Sequence, residues 1–260
     1  MNEFATVSPI DNQQRLEFVL RLADNCLILS QRLGEWCGHG PELEEDMALT
    51  NIALDLIGQA QNWFEYAAQL EGQERTPDTF AFFRDAGGFR NCLLVEYPNQ
   101  DFAYTIARQF YFDSWHNLLL TELASSSDQR IREISEKSLK EVRYHLRHSS
   151  GWVVRLGDGT DESHRRMQAA IDDLWPYTGE LYSADQLDAA IFPEQFEPGL
   201  SKLKTAWLTG VQSVLTEATL QIPSSEWMQT GGKQGVHTEA LGYLLAEMQF
   251  LPRAYPQAQW

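Results

Sequence analysis

Basic residues are scarce in this chain: 20 Lys and Arg stand against 37 Asp and Glu, for a net charge of −17 over 260 residues. Without clustered cations there is no footprint for a phosphate backbone, so nucleic acid is not an expected partner. The acidity serves either solubility or a partner with a basic surface. Cysteine is scarce too, and Cys26, Cys37 and Cys92 are odd in number with no C-x-x-C pair. Reduced structural thiols in the cytoplasm are the expectation. No apolar run approaches the ~18–20 residues of a membrane span, so no membrane partner is expected. The opening residues, MNEFATVSPIDNQQR, lack the basic start and apolar stretch of a signal peptide. No segment alternates polar and apolar residues between hairpin turns, no motif recurs at a repeat-protein period, and no composition shift marks a linker. One domain spanning residues 1–260 follows.

What is present is helix after helix. Asp11 or Asn12 caps a first helix to Leu33, with Leu16, Val19, Leu20, Ala23, Leu27 and Leu33 at steps of three and four. Arg21, Asp24 and Asn25 interrupt that pattern, either as an exposed stripe or as polar contacts in a subunit interface. A glycine-rich turn ends at Pro41, which fits the first position of a second helix, Glu42–Leu70. Residues 71–99 read as one short helix around Thr79–Arg84 followed by loop. Asp101 starts a third long helix that is apolar on nearly all sides and therefore central. Asp128 caps a fourth, closed near Leu156 by Gly157 and Gly159. Shorter helices follow at Glu162–Trp175, from a capping box at Ser183–Gln186, at Leu200–Leu220, and from Thr238 to a stop at Pro252. Four long helices with additional short ones predict an all-α, ferritin-like four-helix bundle.

Such bundles build di-iron sites from a Glu on each of two helices and a Glu-x-x-His on each of the other two. None of the six histidines here has Glu three residues before it. His145 has Val142 at that position, while Glu141 lies roughly 100° around the helix from Val142. Asp113-x-x-His116 keeps the spacing with a shorter carboxylate. Asp161-x-x-His164 has it too, but just past a glycine-rich turn. Asp55 sits mid-way along the second helix with Gly58 where a histidine is needed. The centre of the first helix, Cys26–Leu29, offers no oxygen donor. Asp113, His116, His145, and with them Asp55 and Glu141, therefore read as a vestigial polar cluster rather than a metal centre, with neither catalytic nor cofactor-binding residues in this chain.

Other motifs are weaker. Gly231–Gly235, GGKQG, precedes a helix N-terminus like a phosphate cradle, but it lacks the P-loop spacing and a preceding strand. A turn between two helices is the simpler reading. No G-x-S-x-G elbow supports a hydrolase. Eight tryptophans suit a core, with a few at an interface.

Taken together, Asp24–Gln61 (DNCLILSQRLGEWCGHGPELEEDMALTNIALDLIGQAQ), FDSWH, KEVRYHLRHSSGW and GGKQGVHTEALGYLLAEMQFLPRAYP resemble one family: the C subunits of the multicomponent phenylacetyl-CoA 1,2-epoxidases. The resemblance runs from about Leu16 to Trp260 and is thin over Glu71–Gly88. It implies a ferritin-like, non-catalytic subunit in aerobic phenylacetate degradation. A homologous A subunit would hold the di-iron centre and phenylacetyl-CoA, a small B subunit would join it, and a flavin and iron–sulfur reductase would feed electrons. In the catalytic relative the fourth helix carries E-x-x-H where this chain has Val142 and His145. The second helix's motif falls near Ile57–Ala60, with no ligand. The alternatives are a stand-alone ferritin-like metal-dependent oxidase acting through Asp113, His116, His145, Glu141 and Asp55, or a regulatory helical homodimer.

Overall fold

The computed structural model describes residues 12–183, 185, 187 and 197–258, and every regular element among them is helical. In chain order these are α1 (Asn12–Gly34), α2 (Leu43–Glu71), the short α3 (Pro77–Phe82) and α4 (Leu93–Glu96), α5 (Phe102–Leu123) and α6 (Gln129–Gly157). They continue with α7 (Asp161–Leu174), α8 (Glu197–Glu217), α9 (Glu239–Met248) and α10 (Phe250–Ala254), with single 3-10 turns between some of them.

Side-chain hydrogen bonds cap the starts of α3, α5, α6 and α7. Asp101 accepts from the Tyr104 N–H at 3.1 Å, and Asp128 from Arg130 and Ile131 at 3.0 and 3.1 Å. Thr160 and Ser163 form a reciprocal capping box on α7, as Thr76 and Thr79 do on α3. α2 stops at Gly72, which takes the left-handed conformation at φ 66° and returns its N–H to Ala68 O.

α1 packs along α2, α5 along α6, and α2 meets α6, while α7 and α8 cover α5 and α6. α1 and α5 are buried on almost every side, which is why α5 carries apolar residues all round. Buried side chains from all the long helices form one hydrophobic cluster. Trp207 anchors α8 by packing against Tyr111, Trp175 and Tyr182, with its Nε1 donating to Tyr111 O at 3.1 Å. Trp63, Trp115 and Trp175 are also buried, whereas Trp227 is exposed.

Several expectations needed correction. α2 begins at Leu43 with Glu42 as its N-cap, so Pro41 stays in the turn. Residues 71–99 hold a second helical turn, α4, whose four residues are too few for periodicity to register. Pro252 does not end the last helix. α9 stops at Met248, and Pro252 lies within the separate turn of α10, where an early proline loses no hydrogen bond. α8 ends at Glu217, ahead of Pro223. The proposed capping box at Ser183–Gln186 falls partly outside the described residues.

The largest correction concerns Arg21, Asp24 and Asn25, which are buried inside the chain and form neither an exposed stripe nor a subunit interface. Asp24 accepts from the Arg84 guanidinium and from the Arg90 N–H, Asn25 accepts from the Cys92 N–H at 2.8 Å, and Arg21 pairs with Asp185 at 2.6 Å. The segment linking α2 to α5 folds back over α1 and supplies most of these partners, as buried polar groups require.

Candidate functional site

The expected cluster lies where α2, α5 and α6 face one another, and the three helices divide it. On the α2–α6 seam, fully buried His145 places Nε2 3.0 Å from Asp55 Oδ2, so the two unpaired candidates are partners of each other. One turn further along, Gln59 donates to Glu141 at 2.9 Å and receives the Cys26 thiol at 3.8 Å. Burial first, then the Glu141 and Asp24 charges, raises that thiol far above its ordinary range, so it is inert.

On α5, Asp113 is fully buried and both carboxylate oxygens are engaged: Gln109 donates to one at 2.7 Å and Ser149 to the other at 2.8 Å. Burial pushes the Asp113 carboxyl up to about 6, against the opposing pull of His145 and of those two hydrogen bonds. His116 is driven down to about 3, by burial first and by neighbouring His145 second. It is thus a neutral imidazole, and its Nδ1 has no hydrogen-bond partner. Two other histidines bond away from this cluster. His148 reaches Glu45 at 2.8 Å, and His164 takes Gly157 O at 2.6 Å rather than joining Asp161.

A second polar centre escaped the sequence reading. The GGKQG loop does cradle an anion, but the anion is the chain's own buried Glu180. Gly231 and Lys233 N–H groups donate to Glu180 Oε1 at 3.0 and 3.1 Å, and the Leu93 N–H donates to Oε2 at 2.9 Å. The loop needs its glycines: Gly231 sits at φ 139°, and a Cβ on Gly232 would meet Asn91 O at 2.2 Å. Alongside, buried Glu96 accepts from Asn91 at 3.0 Å, His237 at 2.9 Å and the Thr238 N–H at 2.6 Å. Burial works to lower His237, but the hydrogen bonds to Glu96 and Phe89 O outweigh it and leave the imidazole raised. No local motif announces Glu96 or Glu180, because most of their partners are distant in sequence, 141 and 142 residues for Glu96 and 51, 53 and 87 for Glu180.

Residues 2–260 match the model of a family described as phenylacetic acid catabolic protein. The chain is 54% identical over 247 residues to the C subunit of the 1,2-phenylacetyl-CoA epoxidase of Escherichia coli K12, an alignment covering 95% of this chain and 99% of that protein. The chain belongs to the phenylacetic acid catabolic protein family.

The donor set in this phenylacetic acid catabolic protein does not fit a di-iron centre. Among the described residues, no three His, Cys, Asp or Glu side chains converge as a metal site. Val142, fully buried, occupies the position from which a carboxylate would join His145. Glu141 turns instead to Gln59, and Asp113 has both oxygens held by neutral donors of its own chain. Two irons bridged by carboxylates need four or more such groups aimed at one point. Here Asp55–His145, Gln59–Glu141 and Gln109–Asp113–Ser149 are separate hydrogen-bonded sets, and the Nδ1 atoms of His116 and His145 are left without a hydrogen-bond partner.

Proposed function

We propose that this chain is the non-catalytic scaffold subunit of a phenylacetyl-CoA 1,2-epoxidase, a single ferritin-like domain whose four-helix bundle is α1, α2, α5 and α6. The observation that carries the reading is the division of the candidate donors among separate pairs, with Val142 in place of the missing carboxylate. The identity to an epoxidase's C subunit over nearly the whole of both chains supports it. In this reading the chain holds no cofactor. The di-iron centre and phenylacetyl-CoA belong to a homologous A subunit, the assembly includes a small B subunit, and all three work in the cytoplasm. The bundle contributes rigidity and contact surface, since helix packing alone keeps it folded. Losing ligand carboxylates removes the repulsion of like charges in one core.

The test is reconstitution. Purified alone, the chain should carry little iron and turn over no phenylacetyl-CoA; co-expressed with the A subunit, it should form a stable stoichiometric complex that does. About two irons per chain, with an absorbance change on adding peroxide, would replace this reading by the stand-alone oxidase. A chain that ignores the A subunit and pairs only with itself would favour the regulatory homodimer.

A further inference from the structure

The outward face of α2 carries an apolar stripe that nothing in the pairs described above uses. Leu43, Met47, Leu54 and Ile57 are 71, 57, 59 and 40% exposed. With Thr50 and Gln61 they occupy positions 43, 47, 50, 54, 57 and 61. Those steps of four and three are the heptad spacing by which one helix seats another. Isolated exposed apolar residues are ordinary, but a row of them along one helix is what a monomer avoids. The stripe runs on at Ile57 and Gln61 into a cleft of about 400 Å³, walled on its far side by Ala81 and Phe82 of α3.

Charge selects the occupant. From Glu42 to Glu71 the chain contains seven acidic residues and no Lys or Arg. Four of those seven already have cationic or histidine partners within this chain: Glu45 with His148, Asp55 with His145, Glu65 with Arg130 and Glu71 with Arg75. Glu42 and Glu44 remain exposed beside Leu43. Setting this helix against its own copy would bring together two chains of charge −17 each, with no Lys or Arg between Glu42 and Glu71 to answer the exposed Glu42 and Glu44. A partner of the opposite rim avoids that repulsion and gains steering.

We infer that the outer face of α2 is the seat of a helix from a different chain, one with apolar residues at the same three–four spacing and Lys or Arg along its flanks. The inference rests on the subunit reading above and adds the surface to it. The experiment measures equilibrium binding and association rate of the full chain with the homologous catalytic subunit. Met47→Glu/Leu54→Glu should weaken binding at least tenfold, with helicity and melting temperature kept because both side chains are exposed. Glu44→Lys should slow association, most at low salt. A double variant that binds like the unaltered chain overturns the inference and leaves the subunit reading intact. An unchanged rate for Glu44→Lys overturns the basic-flanked partner. If the unaltered chain ignores that partner but dimerises, and the double variant is monomeric, the occupant is a second copy and the inference fails together with the reading it rests on.

Discussion

Asp113 is a carboxyl kept where water cannot help it ionise, and that has a measurable consequence. Its folded value of about 6 lies above the ordinary 3.8. Between those two values the unfolded chain has released the proton and the folded chain has kept it, so stability falls as pH rises through the window. Asp113→Asn removes the ionisable group and can still accept from Ser149, while its amide can reach Gln109 Oε1, a buried atom with no partner. The variant should therefore gain up to about 3 kcal/mol over the unaltered chain above pH 7, and the gain should vanish below about pH 4. Urea denaturation at both pH values reads this difference; a gain of equal size at both would point to packing rather than ionisation. His237 has a dependence of the same sign at higher pH. Its raised folded value means that its pairing with Glu96 stabilises fully below the unfolded imidazole value of about 6.5 and is lost as pH rises through the higher folded value. His237→Gln should accordingly lose most stability near pH 6 and much less near pH 9. A penalty that stays constant from pH 6 to 9 would show that the imidazole acts only as a neutral hydrogen-bond donor.

At the scale of the element, α6 tests whether one missing carboxylate is all that separates this bundle from a metal site. Val142→Glu restores Glu-x-x-His on α6, yet Val142 is fully buried. An unpaired carboxylate there should destabilise the fold by roughly 3 kcal/mol or more at pH 7, and iron bound per chain should not rise. Uptake of iron with recovery of stability would mean that the other donors can still converge. Elements also differ in how much of them could be read from the sequence. Asp101 and Asp128 mark helix starts because their hydrogen bonds reach only two or three residues ahead. The burial of α5 was legible because apolar residues surround it. α4 was not, since one helical turn has no period. The polar face of α1 was misleading: Arg21, Asp24 and Asn25 look like a solvent stripe until the segment from residue 84 to 92 lies across Asp24 and Asn25.

For the whole molecule, the scaffold reading predicts that His116 and His145 matter to folding and assembly rather than to chemistry. In the assembled epoxidase, His116→Ala and His145→Ala should lower the melting temperature or the yield of complex while turnover per intact complex stays within about twofold. A loss of several orders of magnitude in an intact complex would place the reacting centre in this chain. The sequence by itself determined the helical composition, the caps at Asp101 and Asp128, and the absence of a Glu three residues before any histidine, because each depends only on neighbours within a turn or two. Tertiary structure decided the rest. It paired Asp55 with His145, turned Glu141 toward Gln59, closed the glycine loop around Glu180 and left the outer row of α2 uncovered. Those outcomes depend on which helix lies beside which, and in what register, where a shift of one residue turns a side chain by roughly 100° and gives it a different partner.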